Sequence, residues 1–133
     1  MRILVVDDEA PIRDSLQEIL ESEGFEVGLA GDGLQALQIL TDSEFDLVLS
    51  DIKMPRMDGM ELLTHLAKNF PRLPVVMISA HGTVQTAVEA TKLGAFDFIT
   101  KPLDLDRLLI TLRNALQIST LKQEALSWSN DDT

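Results

Sequence analysis

Five polar residues at the ends of short apolar runs carry the groups that phosphoryl transfer requires. They are Asp7, Asp8, Asp51, Ser79 and Lys101. A carboxylate can act as a covalent nucleophile, while a lysine ammonium and a hydroxyl can stabilise negative charge on the transferred group. Clustered carboxylates repel one another, which raises the pKa of at least one of them and favours a hard divalent cation such as Mg²⁺. The set indicates an acidic Mg²⁺ site in which Asp51 accepts a phosphoryl group.

Each of these residues, taken singly, also has a structural interpretation. The Asp7-Asp8 pair is typical of a helix cap, and Asp51 is typical of a turn. Ser79 is compatible with a second cap, and Lys101 with a solvated surface charge. The joint arrangement is much less expected by chance than any one member, because each polar residue follows an apolar strand at the same sheet edge.

The elements that must position these residues follow from the periodicity of the sequence. Continuous apolar runs predict buried parallel strands at 3–6, 47–49 and 75–78, and mixed runs predict edge strands at 26–30 and 96–99. Five apolar stripes with helical spacing predict the helices. Their members are Ile12, Leu16, Ile19 and Leu20; Leu34, Leu37 and Leu40; Met60, Leu63, Leu66 and Ala67; Val84, Ala87, Val88 and Thr91; Leu105, Leu109, Leu112 and Leu116.

This alternation predicts an α/β fold with a doubly wound, five-stranded parallel sheet. The expected architecture is flavodoxin-like (βα)₅, with strand order 2-1-3-4-5 and helices on both faces. The first and third strands are then neighbours at the topological switch point, so Asp7, Asp8 and Asp51 are expected to meet in one crevice. Asp58 and Gly59 are interpreted as a helix start without a chemical role.

Composition limits the class of protein. The 133 residues are 45% apolar, which is enough for one compact domain, and there is no cysteine for a disulfide or a thiolate metal site. No apolar run approaches the roughly 18 residues of a membrane span. The formal net charge of −11 opposes unaided binding to nucleic acid. We expect a cytoplasmic protein without direct nucleic-acid or membrane binding.

Four sequence motifs resemble those of the response-regulator receiver family over about the first 120 residues, a length typical of one domain. The motifs are ILVVDDE at 3–9, DIKMPRMDG at 51–59, VVMISAHG at 75–82 and GAFDFITKP at 94–102. The resemblance implies that a sensor histidine kinase phosphorylates Asp51. It also implies that Asp8, Asp51 and the Lys53 backbone carbonyl bind Mg²⁺ directly, that Asp7 helps through water, and that Pro102 follows a cis peptide bond.

The same resemblance assigns the remaining residues of the site. Ser79 and Phe98 take the positions of the hydroxyl and aromatic switch residues, and Lys101 takes that of the phosphate-binding lysine. Lys53 and His81 take positions that tune hydrolysis of the aspartyl phosphate, although His81 is equally compatible with a helix start. Because the aromatic residue is phenylalanine rather than tyrosine, ring burial alone can serve as the switch.

The segment from 79 to 103 resembles the receivers of NtrC-like activators of sigma-54 transcription. That resemblance implies a parent chain with an ATPase and a DNA-binding effector. No Walker-type phosphate loop is present in this sequence. We expect an excised receiver rather than a single-domain regulator, with the helix at 82–91 and the last helix as the surfaces that change partner.

The last segment is expected to extend beyond the receiver domain of residues 1–119. Ile118, Leu121, Ala125 and Trp128 follow heptad-like spacing on a rotated face. Residues 120–133 therefore indicate a linker helix followed by a disordered tail, with a homodimer formed through the last helices. A frayed tail with incidental leucines is the alternative.

Two enzyme classes fit the sequence poorly. An aspartate-nucleophile phosphatase needs a second aspartate two residues after the nucleophile, where this chain has Lys53. A dinucleotide-binding oxidoreductase needs a glycine-rich G-x-G-x-x-G motif after the first strand, and this sequence has none there. We expect a signalling domain that accepts a phosphoryl group and loses it slowly, not a turnover enzyme. The remaining alternative is an interaction module that works without phosphorylation.

Overall fold

The computed structural model describes residues 1–80 and 82–117. Within these ranges the strands are β1 (Arg2–Val6), β2 (Glu26–Ala30), β3 (Leu47–Asp51), β4 (Val75–Ser79) and β5 (Asp97–Thr100). The helices are α1 (Ala10–Ser22), α2 (Gly33–Asp42), α3 (Gly59–Asn69) and α4 (Val84–Lys92), followed by α5, which is helical from 105 to the last described residue, 117.

All strand pairs in the described sheet are parallel, and the strand order is β2-β1-β3-β4-β5. The predicted fold class and strand order are therefore confirmed. β3 and β4 are buried along their whole length, and β1 is buried after Arg2. These are the strands with continuous apolar runs, as expected for strands covered on both faces.

Alternation along the strands divides the core between the two faces of the sheet. Ile3 and Val5 pack on one face with apolar residues of α1 and α5. Leu4 and Val6 pack on the other face with residues of α2, α3 and α4. The result is three layers, and the carboxyl ends of β1, β3 and β4 converge at one edge of the sheet.

The predicted helix α4 is confirmed, and its valine stripe lies on the solvent side. Val84 is 83% exposed and Val88 is 47% exposed, and Ala90 is the residue of α4 that is buried. Ala90 is two positions after Val88, a rotation of about 200° around a helix with 3.6 residues per turn. The valines therefore form a stripe on the solvent side of α4. Leu34 and Leu105, which belong to the predicted stripes of α2 and α5, are 49% and 44% exposed.

Two predictions lie outside the described residues. These are the role of His81 and the linker helix with its tail at 120–133. Among the described helices, none combines the length and apolar character needed to cross a membrane.

Candidate functional site

Three carboxylates meet at the carboxyl edge of the sheet, as predicted. One oxygen from each of Asp7, Asp8 and Asp51 lies within 4.8 Å of the other two. Asp7 and Asp8 follow β1 directly and Asp51 is the last residue of β3, and these two strands are neighbours in the sheet. Asp7 is fully buried and Asp51 is 8% exposed, whereas Asp8 is open to solvent. Two of the three carboxylates are thus buried in the protein, and the third is accessible to solvent.

Lys101 joins the cluster as a cation, so its interpretation as a solvated surface charge is wrong. Its Nζ atom lies 3.2 Å from Asp7 Oδ2 and 3.4 Å from Asp51 Oδ2, and its side chain is 15% exposed. The Lys101 backbone N–H group donates to the Ser79 carbonyl oxygen at 2.8 Å. The Lys101-Pro102 peptide bond is cis, as the resemblance implied.

Burial and charge shift the pKa of two groups in the cluster. Burial, together with the nearby charge of Asp7, raises the pKa of Asp51, although Lys101 and the Ile52 N–H group act against this. Burial alone would lower the pKa of Lys101, but the charges of Asp51 and Asp7 and their hydrogen bonds outweigh it, so the pKa of Lys101 is raised. The prediction that at least one carboxylate has a raised pKa is confirmed by Asp51.

The backbone around Asp51 explains the glycine that opens α3. Asp51 Oδ1 accepts a hydrogen bond from the Ile52 N–H group at 2.7 Å, and the Gly59 N–H group donates to the Ile52 carbonyl oxygen at 2.7 Å. A side chain at residue 59 would overlap the Asp51 carbonyl oxygen. Asp58 caps α3 by accepting from the Glu61 N–H group, which confirms its interpretation as a helix start.

Asp7 forms a turn before α1 and does not cap the helix. Its Oδ1 atom accepts from the Glu9 N–H group at 2.9 Å, while the N-cap residue of α1 is Glu9, whose side chain makes no capping bond. The Asp7 carbonyl oxygen accepts from Arg13 Nη1 at 2.6 Å. These bonds fix the backbone of Asp7 and leave its Oδ2 atom directed to Lys101.

The other predicted site residues lie around the cluster. Ser79 is the last residue of β4 and is 4% exposed, one position beyond Ile78, the register partner of Asp51. Phe98 on β5 is half-buried, and a side chain at residue 82 would overlap its ring. The side chain of Lys53 is exposed.

Sequence reasoning missed a second charged pair beside the cluster. Asp32, which is 3% exposed, caps α2 and pairs with Arg56 in the loop between β3 and α3. The Asp32-Gly33 dipeptide before an apolar stripe was a recognisable helix-start signal. No local pattern indicates Arg56 as its partner, because the pair forms only in the tertiary structure.

The donor set of the cluster fits a hard divalent cation. Carboxylate oxygens from three side chains, with Asp8 open to water, suit Mg²⁺, which prefers oxygen ligands and retains part of its hydration shell. Burial and the charge of Asp7 raise the pKa of Asp51, and a cation bound beside it would favour the ionised carboxylate.

Comparisons with known proteins agree with this geometry. Residues 3–113 match the family described as the response regulator receiver domain. The chain is 43% identical to the regulatory protein AtoC of Escherichia coli over 92% of its own length, and 45% identical to the transcriptional regulatory protein ZraR of Klebsiella oxytoca over 94%. A crystal structure of NtrX from Brucella abortus superimposes with a TM-score of 0.89 at 46% identity, covering 96% of this chain and 29% of that one.

These relatives are much longer than the sequence described. The chain spans 27% of AtoC and 28% of ZraR, so the match covers one part of each relative.

Proposed function

The chain belongs to the response regulator receiver domain family, and from that premise we propose that phosphorylation of Asp51 by a sensor histidine kinase is its switch. One observation carries the proposal. The Lys101 ammonium contacts both Asp7 and Asp51 at the edge where three carboxylates converge. A metal site alone does not require a buried cation, whereas a site for a transferred phosphoryl group does.

In this proposal the acidic cluster also holds Mg²⁺. Asp8, Asp51 and the Lys53 backbone carbonyl would hold the ion directly, and Asp7 would assist through water. When bound, Mg²⁺ neutralises charge on the phosphoryl oxygens. Asp7 keeps Lys101 in place through the contact at 3.2 Å.

Asp51 acts as the nucleophile. One of its carboxylate oxygens forms an O–P bond while the P–N bond to the kinase histidine breaks, and the departing imidazole keeps the electron pair. Lys101 lies 3.4 Å from Asp51 Oδ2, close enough to stabilise the charge that spreads over the phosphoryl oxygens.

Phosphorylation then changes the surface through Ser79 and Phe98. The phosphoryl group adds negative charge and strong acceptor oxygens beside Asp51. The Ser79 hydroxyl donates to one of them, and this draws the chain after β4 toward the site. Burial of the Phe98 ring follows, because Phe98 lies against residue 82 in that segment.

Slow hydrolysis makes the chain a switch rather than a turnover enzyme. Lys53 and His81 flank the phosphoryl group and shield it from water in this proposal. Support comes from the absence of a second aspartate two residues after Asp51, where the general acid of a phosphatase would stand.

The output is proposed to be transcriptional. The relatives AtoC and ZraR are named as regulatory proteins, and this chain spans about a quarter of their length. We propose a receiver at 1–119 whose linker, 120–133, leads to a sigma-54-activating ATPase and a DNA-binding domain. A homodimer through the last helices is part of the proposal, and sedimentation of the chain with and without residues 120–133 tests it.

Intact-mass spectrometry tests the central step. The protein is incubated with acetyl phosphate, with and without Mg²⁺, beside the Asp51→Asn variant. We expect a single phosphoryl adduct that requires Mg²⁺ and is absent from the variant. Asp58→Asn serves as the matched control, since Asp58 caps α3 and its replacement keeps an oxygen for the Glu61 N–H group.

The alternative is an interaction module that works without phosphorylation. A folded protein that binds Mg²⁺ but gains no adduct would favour that alternative. An adduct that persists in Asp51→Asn would assign the acceptor to another residue.

A further inference from the structure

We propose that the Asp32–Arg56 ion pair positions the loop of residues 52–58 and thereby sets the Mg²⁺ affinity of the acidic cluster. This inference rests on the proposed function, because that loop carries the Lys53 carbonyl. Asp32 and Arg56 are positioning residues in this scheme, since neither belongs to the carboxylate cluster itself.

The loop contains a strained turn centred on Arg56. The φ angle of Arg56 is 66°, and it is the non-glycine residue with positive φ in the described part of the chain. The Met57 N–H group donates to the Pro55 carbonyl oxygen at 2.8 Å, which closes a γ-turn around Arg56. Such a turn is unfavourable for a residue with a side chain and persists when surrounding contacts hold it.

Asp32 supplies the main contact that holds this turn. Its Oδ1 atom accepts from the Gln35 N–H group at 2.8 Å, and its Oδ2 atom lies 2.5 Å from Arg56 Nη2. The Asp32 side chain is 4% exposed, whereas that of Arg56 is 70% exposed. A buried carboxylate is unfavourable unless it is paired, so Asp32 favours the loop conformation that brings Arg56 to it.

A second contact seats the loop on the same helix end. The Gly33 N–H group donates to the Met57 carbonyl oxygen at 3.2 Å, and a side chain at residue 33 would lie 2.7 Å from Met57 Cγ. The N-terminal end of α2 therefore contacts the loop at Arg56 and at the next residue, Met57. The Lys53 carbonyl belongs to the short segment between Asp51, the last residue of β3, and Arg56, so the contact at Arg56 restricts where that carbonyl lies.

Calorimetric titration with Mg²⁺ tests the inference in variants of this pair. Arg56→Ala removes the guanidinium, and Asp32→Asn removes the charge while keeping an oxygen for the Gln35 N–H group. We expect each variant to raise the Mg²⁺ dissociation constant roughly tenfold, at the low end of the effect of groups that orient metal ligands. We expect Arg56→Lys to stay within about twofold of the original protein, because the lysine keeps the positive charge and the pair is a single contact at an exposed side chain.

The double variant distinguishes a shared action from two separate ones. If the pair acts as one unit, Asp32→Asn with Arg56→Ala weakens Mg²⁺ binding no more than either change alone. Multiplied effects would contradict the proposal. The matched control is Arg113→Ala, which breaks an ion pair between α5 and Glu23 at the C-terminal end of α1 and is expected to leave Mg²⁺ binding unchanged.

A purely structural role has a different signature. In that case urea denaturation shows lower stability while the dissociation constant of the folded protein stays the same, and the proposal falls. Amide hydrogen exchange gives an independent readout, and we expect the Met57 and Gly33 N–H groups to exchange faster in Arg56→Ala than in Arg113→Ala.

The outcome is separable from that of the phosphorylation test. A phosphoryl adduct on Asp51 together with unchanged Mg²⁺ affinity in the variants rejects this inference alone. Weakened Mg²⁺ binding in the variants without any adduct supports this inference and rejects the phosphorylation switch.

Discussion

Replacing Asp51 by asparagine is expected to stabilise the metal-free fold, although it removes the proposed phosphorylation site. The change keeps the shape of the side chain and the oxygen that accepts from the Ile52 N–H group. It removes one buried negative charge from a cluster of three carboxylates and one ammonium. The sign of the effect depends on whether repulsion and burial exceed the attraction of Lys101.

Three contributions set the magnitude. The Asp7 and Asp51 oxygens lie within 4.8 Å, a separation at which unit charges repel by about 3.5 kcal/mol when the effective dielectric constant is about 20. Lys101, 3.4 Å from Asp51, offsets this with about 5 kcal/mol of attraction under the same assumption. Taking one carboxylate out of water costs several kcal/mol, on the order of 4. Asp8 is exposed and screened, so the expected gain in the free energy of unfolding is about 2.5 kcal/mol.

The pH dependence follows from the raised pKa of Asp51. Because this pKa lies above the value of 3.8 for an unperturbed aspartate, the folded protein binds a proton at pH values where the unfolded chain has lost it. The free energy of unfolding therefore falls as the pH rises from 3.8 through the folded pKa. Asp51→Asn has no carboxyl group at this position and does not lose stability in this way. The free energies of unfolding of the two proteins should therefore differ little below pH 3.8 and most above the folded pKa of Asp51.

Urea denaturation followed by circular dichroism measures the effect, first in EDTA and then in Mg²⁺. A ligand at 100 times its dissociation constant stabilises a fold by about 2.7 kcal/mol. In Mg²⁺ at that concentration the free energy of unfolding of the original protein should rise by nearly this amount. That of Asp51→Asn should rise less, because the variant lacks one of the carboxylates proposed to bind the ion. If Asp51→Asn is less stable than the original protein in EDTA at neutral pH, the balance of charges derived above is wrong.

Four further predictions concern other parts of the structure. Lys101→Met should slow formation of the acetyl-phosphate adduct roughly 100-fold, the effect of losing one stabilising donor, while calorimetry should show Mg²⁺ binding retained. Gly59→Ala should lower the free energy of unfolding, measured by urea denaturation, by about 1–3 kcal/mol, because the new side chain overlaps the Asp51 carbonyl oxygen. The control is Gly31→Ala, whose new side chain would meet its neighbours at 3.4 and 3.6 Å. It should change the free energy of unfolding by less than about 0.5 kcal/mol. Val84→Ser should also change stability by less than about 0.5 kcal/mol, because that side chain is exposed. Lys53→Ala should shorten the half-life of the phosphoprotein, followed by loss of the mass adduct, and an unchanged half-life would remove Lys53 from the proposal.

The sequence was sufficient for the fold because buried parallel strands have a distinctive composition. Ile3 to Val6 and Val75 to Ile78 are apolar at every position, and this pattern is typical of strands covered on both faces. The strand order then followed from general rules of connection, and those rules brought Asp7 and Asp51 to adjacent strand ends. The location of the acidic cluster was therefore accessible without coordinates.

The sequence did not show which residues of α4 are buried, because this depends on which side of the helix meets the sheet. Val84 and Val88 have the spacing of a core stripe, yet they face solvent while the smaller Ala90 is buried. Apolar spacing identifies a stripe but not whether a second element covers it. The Asp32–Arg56 pair was missed for a related reason, since nothing local in the sequence indicates that Arg56 adopts a positive φ angle.

The exposed stripe on α4 and the acidic cluster are connected by a short stretch of chain, and this connection favours α4 as the route of the proposed output. β4 ends at Ser79 and α4 begins at Val84, after the capping residue Thr83. Among the described residues of α4, Ala90 alone is buried, so little apolar contact opposes a shift of this helix. Movement of Ser79 toward a phosphoryl group must displace the segment that follows it, including residue 82 beside the Phe98 ring. A change of charge at Asp51 can therefore reach the exposed valines without disturbing the two buried layers of the core.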